Sequence, residues 1–141
     1  MVWLDNYKTA YNLILAHIKS KGIKVFHREI KGGAGGHYNW NKVIITIDKQ
    51  CKGTLEGCYL LCHELIHWEQ NRYDRFPGFF EMDTEFSEEK LKIVIDAEMD
   101  AVKGACKMLK TWGINYESSE LTAGGYEESV KFWKKYYFPD K

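Results

Sequence analysis

The chain has 141 residues, 45% of them hydrophobic and 28% charged, which suits one globular domain with its own core. Its 20 basic and 20 acidic residues cancel without a long run of either sign, which argues against a nucleic-acid binder built on a basic stripe. No apolar run is long enough to span a bilayer, and the N-terminus lacks the basic-then-apolar order of a signal peptide, so no membrane partner and an intracellular, cytoplasmic location are expected.

Residues 3–20 read as an amphipathic helix, because Leu4, Tyr7, Tyr11, Ile14, Leu15 and Ile18 recur at helical spacing. Gly22 ends it. Residues 23–30 read as a strand, with Ile23 and Val25 alternating with polar neighbours. Residues 32–36, Gly-Gly-Ala-Gly-Gly, read as a mobile connection. A phosphate-binding loop fails there, since no Gly-Lys-Ser/Thr follows. Residues 42–47, Lys-Val-Ile-Ile-Thr-Ile, are a stronger strand, rich in β-branched side chains. The two strands are expected to pair across the glycine connection.

Thr54 can cap a helix from about Leu55 to Arg72. That helix is apolar nearly all round and should be buried. It carries His63-Glu64-Leu65-Ile66-His67. Side chains four apart on a helix share a face, so His63 and His67 point two imidazoles at one spot, as two zinc ligands must. Glu64 lies about a third of a turn round, within reach of a water held there. Polar groups inside a buried helix need partners, and a metal would supply them. The four cysteines (Cys51, Cys58, Cys62, Cys106) form no CxxC pair and read as reduced thiols in a reducing compartment.

Pro77-Gly78 breaks the chain, and a loop runs to about Phe86. Ser87 caps a third helix, about Glu88 to Lys110, with Glu88 and Glu89 well placed in its first turn. At 100° per residue, Leu91, Ile95, Val102, Ala105 and Leu109 share one face, with Glu98 at its centre. Asp96 and Asp100 fall on the far side with Lys103 and Lys107. A lone carboxylate on an apolar stripe is costly unless it is paired or binds metal, so Glu98 is the expected third ligand. Gly113 ends this helix, residues 114–125 read as a loop, and a last helix runs from about Tyr126 to Tyr137. The aromatics near both ends (Trp3, Tyr7, Tyr11; Phe132, Trp133, Tyr136, Tyr137, Phe138) read as the docking faces of terminal helices.

His-Glu-x-x-His followed by a glutamate 31 residues after the second histidine resembles the zincin metallopeptidases, and among them the gluzincins. Many small gluzincin-like proteins carry Glu-x-x-Ala-Asp-x-x-Ala, and this chain has Glu98, Ala101 and Ala105 at those places but Val102 where the aspartate stands. The resemblance covers residues 42–110. It implies an α+β, minimal zincin-like single domain over residues 1–141, a small sheet with packed helices and a central motif helix. It implies Zn²⁺ on His63, His67 and Glu98, with Glu64 as general base on the zinc-bound water of an endopeptidase rather than an exopeptidase. The partner is then a protein or peptide substrate, which residues 42–47 could bind by strand addition. The aspartate would orient a ligand histidine, and Asp96 or Asp100 would have to replace it. The oxyanion donor is open among His37, Tyr38, Tyr73 and Tyr116. His17 and His27 read as structural or exposed. The competing reading is a non-catalytic zinc-binding protein on the same fold, of the kind phages or mobile elements encode, and then virion-associated; keeping Glu64 argues against it. A helical interaction module with an accidental motif is the remaining alternative, and the placement of Glu98 argues against that.

Overall fold

The computed structural model describes the main chain of residues 7–30, 35–80, 87–116 and 125–138, and the side chains of all of these except 125–130. Helix α1 spans Tyr7–Ser20 and buries Ala10, Tyr11, Ile14 and Ile18, the stripe its spacing implies. The start expected at residue 3, and with it Trp3, lies outside the described residues. Gly22 follows at φ 83°, a left-handed conformation that glycine adopts without a Cβ clash.

Three strands follow: β1 (Lys24–Arg28), β2 (Gly36–Asn39) and β3 (Ile44–Asp48), in the spatial order β1-β3-β2. The two strands expected to pair do so, in parallel, from Lys24 opposite Ile44 to Arg28 opposite Asp48. Strand β2 was not expected; Gly-His-Tyr-Asn is too short and too polar to show a strand pattern. It pairs antiparallel with β3. Most of the glycine connection, residues 31–34, lies outside the described residues. Strand β3 begins two residues later than its composition suggests. Val43 sits at φ 56°, unusual for a β-branched side chain, and the Lys42 amide donates to Asn39 Oδ1 at 3.1 Å. These two features shape the turn between β2 and β3. Because β3 is paired on both sides, the expectation that residues 42–47 receive an extended peptide is corrected: the edge strands are β1 and β2.

A 3-10 turn (Lys49–Cys51) leads to helix α2 (Leu55–Arg72). Thr54 caps it, its Oγ1 accepting from the Gly57 amide at 2.9 Å. Gly57 is required, since a Cβ there would stand 1.9 Å from the Cys51 carbonyl oxygen. Helix α3 spans Glu88–Thr111, with Ser87 accepting from the Lys90 amide at 3.0 Å as the cap. Helix α4 spans Gly125–Tyr137. Within the loops expected on either side of α3, residues 81–86 and 117–124 lie outside the described residues.

Helix α2 is central, packing on α1, α3, β2 and β3. Its apolar side chains Leu61 and Leu65 share one core with Ile14, Ile18, Ile45 and Ile47. Cys58 and Cys62 are buried in that core as free thiols, and Cys51 and Cys106 pack at its edge. A second cluster, Leu91, Val94 and Ile95 with Trp133 and Phe138, docks α4 on α3. The terminal aromatics thus divide: Trp133 and Phe138 are buried, while Phe132 and Tyr136 stay about half exposed. Among the described residues, four helices and a three-stranded mixed sheet make an α+β fold, as expected. No helix among the described residues is long and apolar enough to cross a membrane.

Candidate metal centre

His63, Glu64 and His67 sit on the inner face of α2, and Glu98 sits at the middle of the apolar face of α3. All four are buried, Glu98 to 2% exposure. Leu91, Ile95, Val102, Ala105 and Leu109 are buried along with it, so the helical projection of α3 located Glu98 correctly. The Nε2 atoms of His63 and His67 lie 3.2 Å apart. Glu98 Oε2 is 3.3 Å from His63 Nε2, and Glu98 Oε1 is 2.9 Å from His67 Nε2.

These separations can be tested against zinc. Ligand bonds of about 2.0–2.2 Å at tetrahedral angles place ligand atoms roughly 3.3–3.5 Å apart. The two imidazole nitrogens and the carboxylate therefore stand close to the spacing a shared zinc imposes. Among the described residues they form one His/His/Glu group able to hold a metal ion, with no fourth histidine, cysteine or acidic ligand in it. The donor set, two imidazoles and one carboxylate, suits zinc and leaves a coordination position for water.

The charges respond to one another. Burial opposes the charged form of His67, but the Glu98 carboxylate outweighs it and raises the imidazole pKa. Burial likewise opposes charge on Glu98, yet the two histidines hold it below the usual carboxylate range. Glu64 is pushed up, chiefly by burial, with the two histidines working in the other direction. Strand β2 runs close past this carboxylate: a Cβ at Gly36 would meet Glu64 Oε2 at 3.4 Å and Ile47 Cδ1 at 3.1 Å.

Around these three side chains stand groups that the sequence did not point to. Tyr59 places its hydroxyl 3.0 Å from His63 Nδ1, one turn earlier on α2. Gln70 places Oε1 2.8 Å from His67 Nδ1. Tyr137 of α4 donates to Glu98 Oε1 at 2.9 Å. Tyr59 and Gln70 could have been sought at i−4 from His63 and i+3 from His67; nothing in the sequence ties Tyr137 to the site. Val102 is buried and apolar, as its identity requires. Of its two proposed substitutes, Asp96 pairs with Lys92 at 2.9 Å on the exposed side of α3. Asp100 turns instead toward α2, where it accepts from Gln70 Nε2 at 2.9 Å and from Arg75 Nη2 at 3.1 Å. The helical projection that put Asp100 with Lys103 and Lys107 is corrected by these contacts.

A cleft of about 890 Å³ opens on the group, between β2 on one side and α4 on the other. Of the four candidate oxyanion donors, His37 and Tyr38 line it, whereas Tyr73 and Tyr116 do not. Tyr116 donates to Glu56 at 2.7 Å, and Tyr73 is exposed. His27 meets the Tyr11 hydroxyl at 2.5 Å and His17 packs edge-on to Trp112, so neither joins the centre. Comparison with known protein families, curated proteins and solved structures gives no match for this chain.

Proposed function

We propose that this protein is a zinc-dependent metallopeptidase of zincin type, similar to the small gluzincins, that hydrolyses peptide bonds in a protein or peptide substrate. The observation that carries this reading is the convergence of His63 Nε2, His67 Nε2 and Glu98 at zinc-ligand spacing, next to a buried Glu64 and open to a cleft. When bound, zinc supplies a Lewis acid that acidifies water and polarises a carbonyl. Glu64 takes the proton from the attacking water and returns it to the leaving amine. A carboxylate whose pKa is raised by burial is suited to both steps. Strand β2, the edge strand beside the cleft, offers main-chain groups to an extended peptide. A purely structural zinc site closes with four protein ligands. Three ligands with a neighbouring free carboxylate favour catalysis.

The test uses zinc-loaded protein and a pooled peptide library read by mass spectrometry. Wild type should cleave, and Glu64→Gln should keep its zinc while losing about 10²–10⁴-fold in rate. Cleavage by Glu64→Gln at the wild-type rate would remove the proposed base. Zinc-loaded wild type that cleaves nothing in the pool would favour the non-catalytic zinc protein.

A further inference from the structure

We propose that Gln70 is the positioning residue for His67, fixing which ring nitrogen faces the metal, with Asp100 and Arg75 acting through it. The inference rests on the metal reading above.

Gln70 is fully buried, and its contacts leave one orientation for its amide. The two groups facing its nitrogen are the Ala97 carbonyl oxygen at 2.8 Å and Asp100 Oδ2 at 2.9 Å. A carbonyl and a carboxylate only accept, so the NH₂ end must face them. The amide oxygen is then the atom 2.8 Å from His67 Nδ1, and only a protonated Nδ1 can donate to it. In the neutral ring this leaves the lone pair on Nε2, the atom that faces Glu98 and His63 Nε2. Asp100 is itself held by Arg75 Nη2 at 3.1 Å, and the Arg75 amide donates back to the Gln70 carbonyl oxygen at 3.0 Å. The chain of contacts thus joins α2, the turn after it, and α3.

A carboxylate placed directly on Nδ1 would orient the ring and also add a negative charge beside the ligand. Here the two tasks are separated. The neutral amide orients, and the charge sits one residue further out, on Asp100 against Arg75. Val102 is buried and apolar, so the carboxylate that α3 contributes to this path is Asp100, which acts by way of Gln70.

The experiment is a Zn²⁺ titration in competition with a chromophoric chelator, run beside thermal melting of the metal-free protein. Gln70→Met keeps the length and removes the acceptor; it should weaken zinc binding by about 10–100-fold. Nitrogen-15 NMR of the imidazoles in zinc-loaded wild type should show His67 protonated at Nδ1 and unprotonated at Nε2. A Gln70 with only a structural role would lower the metal-free melting temperature and leave zinc affinity unchanged, so Gln70→Met binding zinc like wild type overturns the inference. If Gln70→Met does not fold, the nitrogen-15 spectrum of wild type decides, and a zinc-loaded His67 protonated at Nε2 instead of Nδ1 overturns the inference. Wild type that binds no zinc would bring down the metal reading itself, an outcome recognised without any variant.

Discussion

A buried histidine and a buried glutamate that meet at 2.9 Å leave a record in the pH dependence of the metal-free protein. His67 is raised from 6.5 to about 9 in the fold: burial opposes its charge, and Glu98 overcomes that opposition. Below pH 6.5 the ring is charged in both folded and unfolded chains, and its full contribution to stability is present. As pH rises from 6.5 toward 9 the unfolded ring is neutral while the folded one still holds its proton, so this contribution is lost. Chemical denaturation of metal-free protein across that range should show stability falling as pH rises, and His67→Gln should flatten the slope. An unchanged slope in His67→Gln would mean that another group is responsible. At the same scale, the residues named from the sequence alone, His63, His67 and Glu98, meet in space. Gln70 and Tyr59 were not named, because hydrogen-bond partners of a ligand are ordinary polar residues with no pattern of their own.

At the scale of elements, helix α2 was legible from its first residue to its last, because Thr54 and a long apolar run mark it without ambiguity. The sheet was less so. Strand β2 is four residues long and carries glycine and asparagine, so its existence depends on pairing with β3 rather than on propensity. That pairing changes which strand borders the cleft. The seating of α2 on the turn before it depends on Gly57, where the Cys51 carbonyl oxygen occupies the space of a side chain. Gly57→Ala should therefore destabilise by about 1–3 kcal/mol through overpacking, despite the better helix propensity of alanine. Urea unfolding checks this, and a more stable Gly57→Ala would show that the turn yields without penalty.

For the whole molecule, the centre ties α2 to α3, and Tyr137 brings α4 to the same carboxylate. A metal bound there stabilises the folded chain by linkage, by about 2.7 kcal/mol at a free concentration 100 times Kd. Thermal melting with and without Zn²⁺ should show this as a higher melting temperature, reversed by chelator and absent in Glu98→Ala. The α+β class was legible because helix periodicity and two β-branched or alternating strands are strong local signals. The cleft and its α4 wall were not, since α4 reaches Glu98 only through tertiary packing that no local pattern announces.

The most direct measurement is the zinc content of purified, zinc-loaded and dialysed protein by inductively coupled plasma mass spectrometry. The geometry predicts about one zinc per chain in wild type and in Glu64→Gln, and loss of it in His63→Ala, His67→Ala and Glu98→Ala. Wild-type protein with no zinc above background, or a Glu98→Ala variant that holds as much as wild type, would contradict the three-ligand centre.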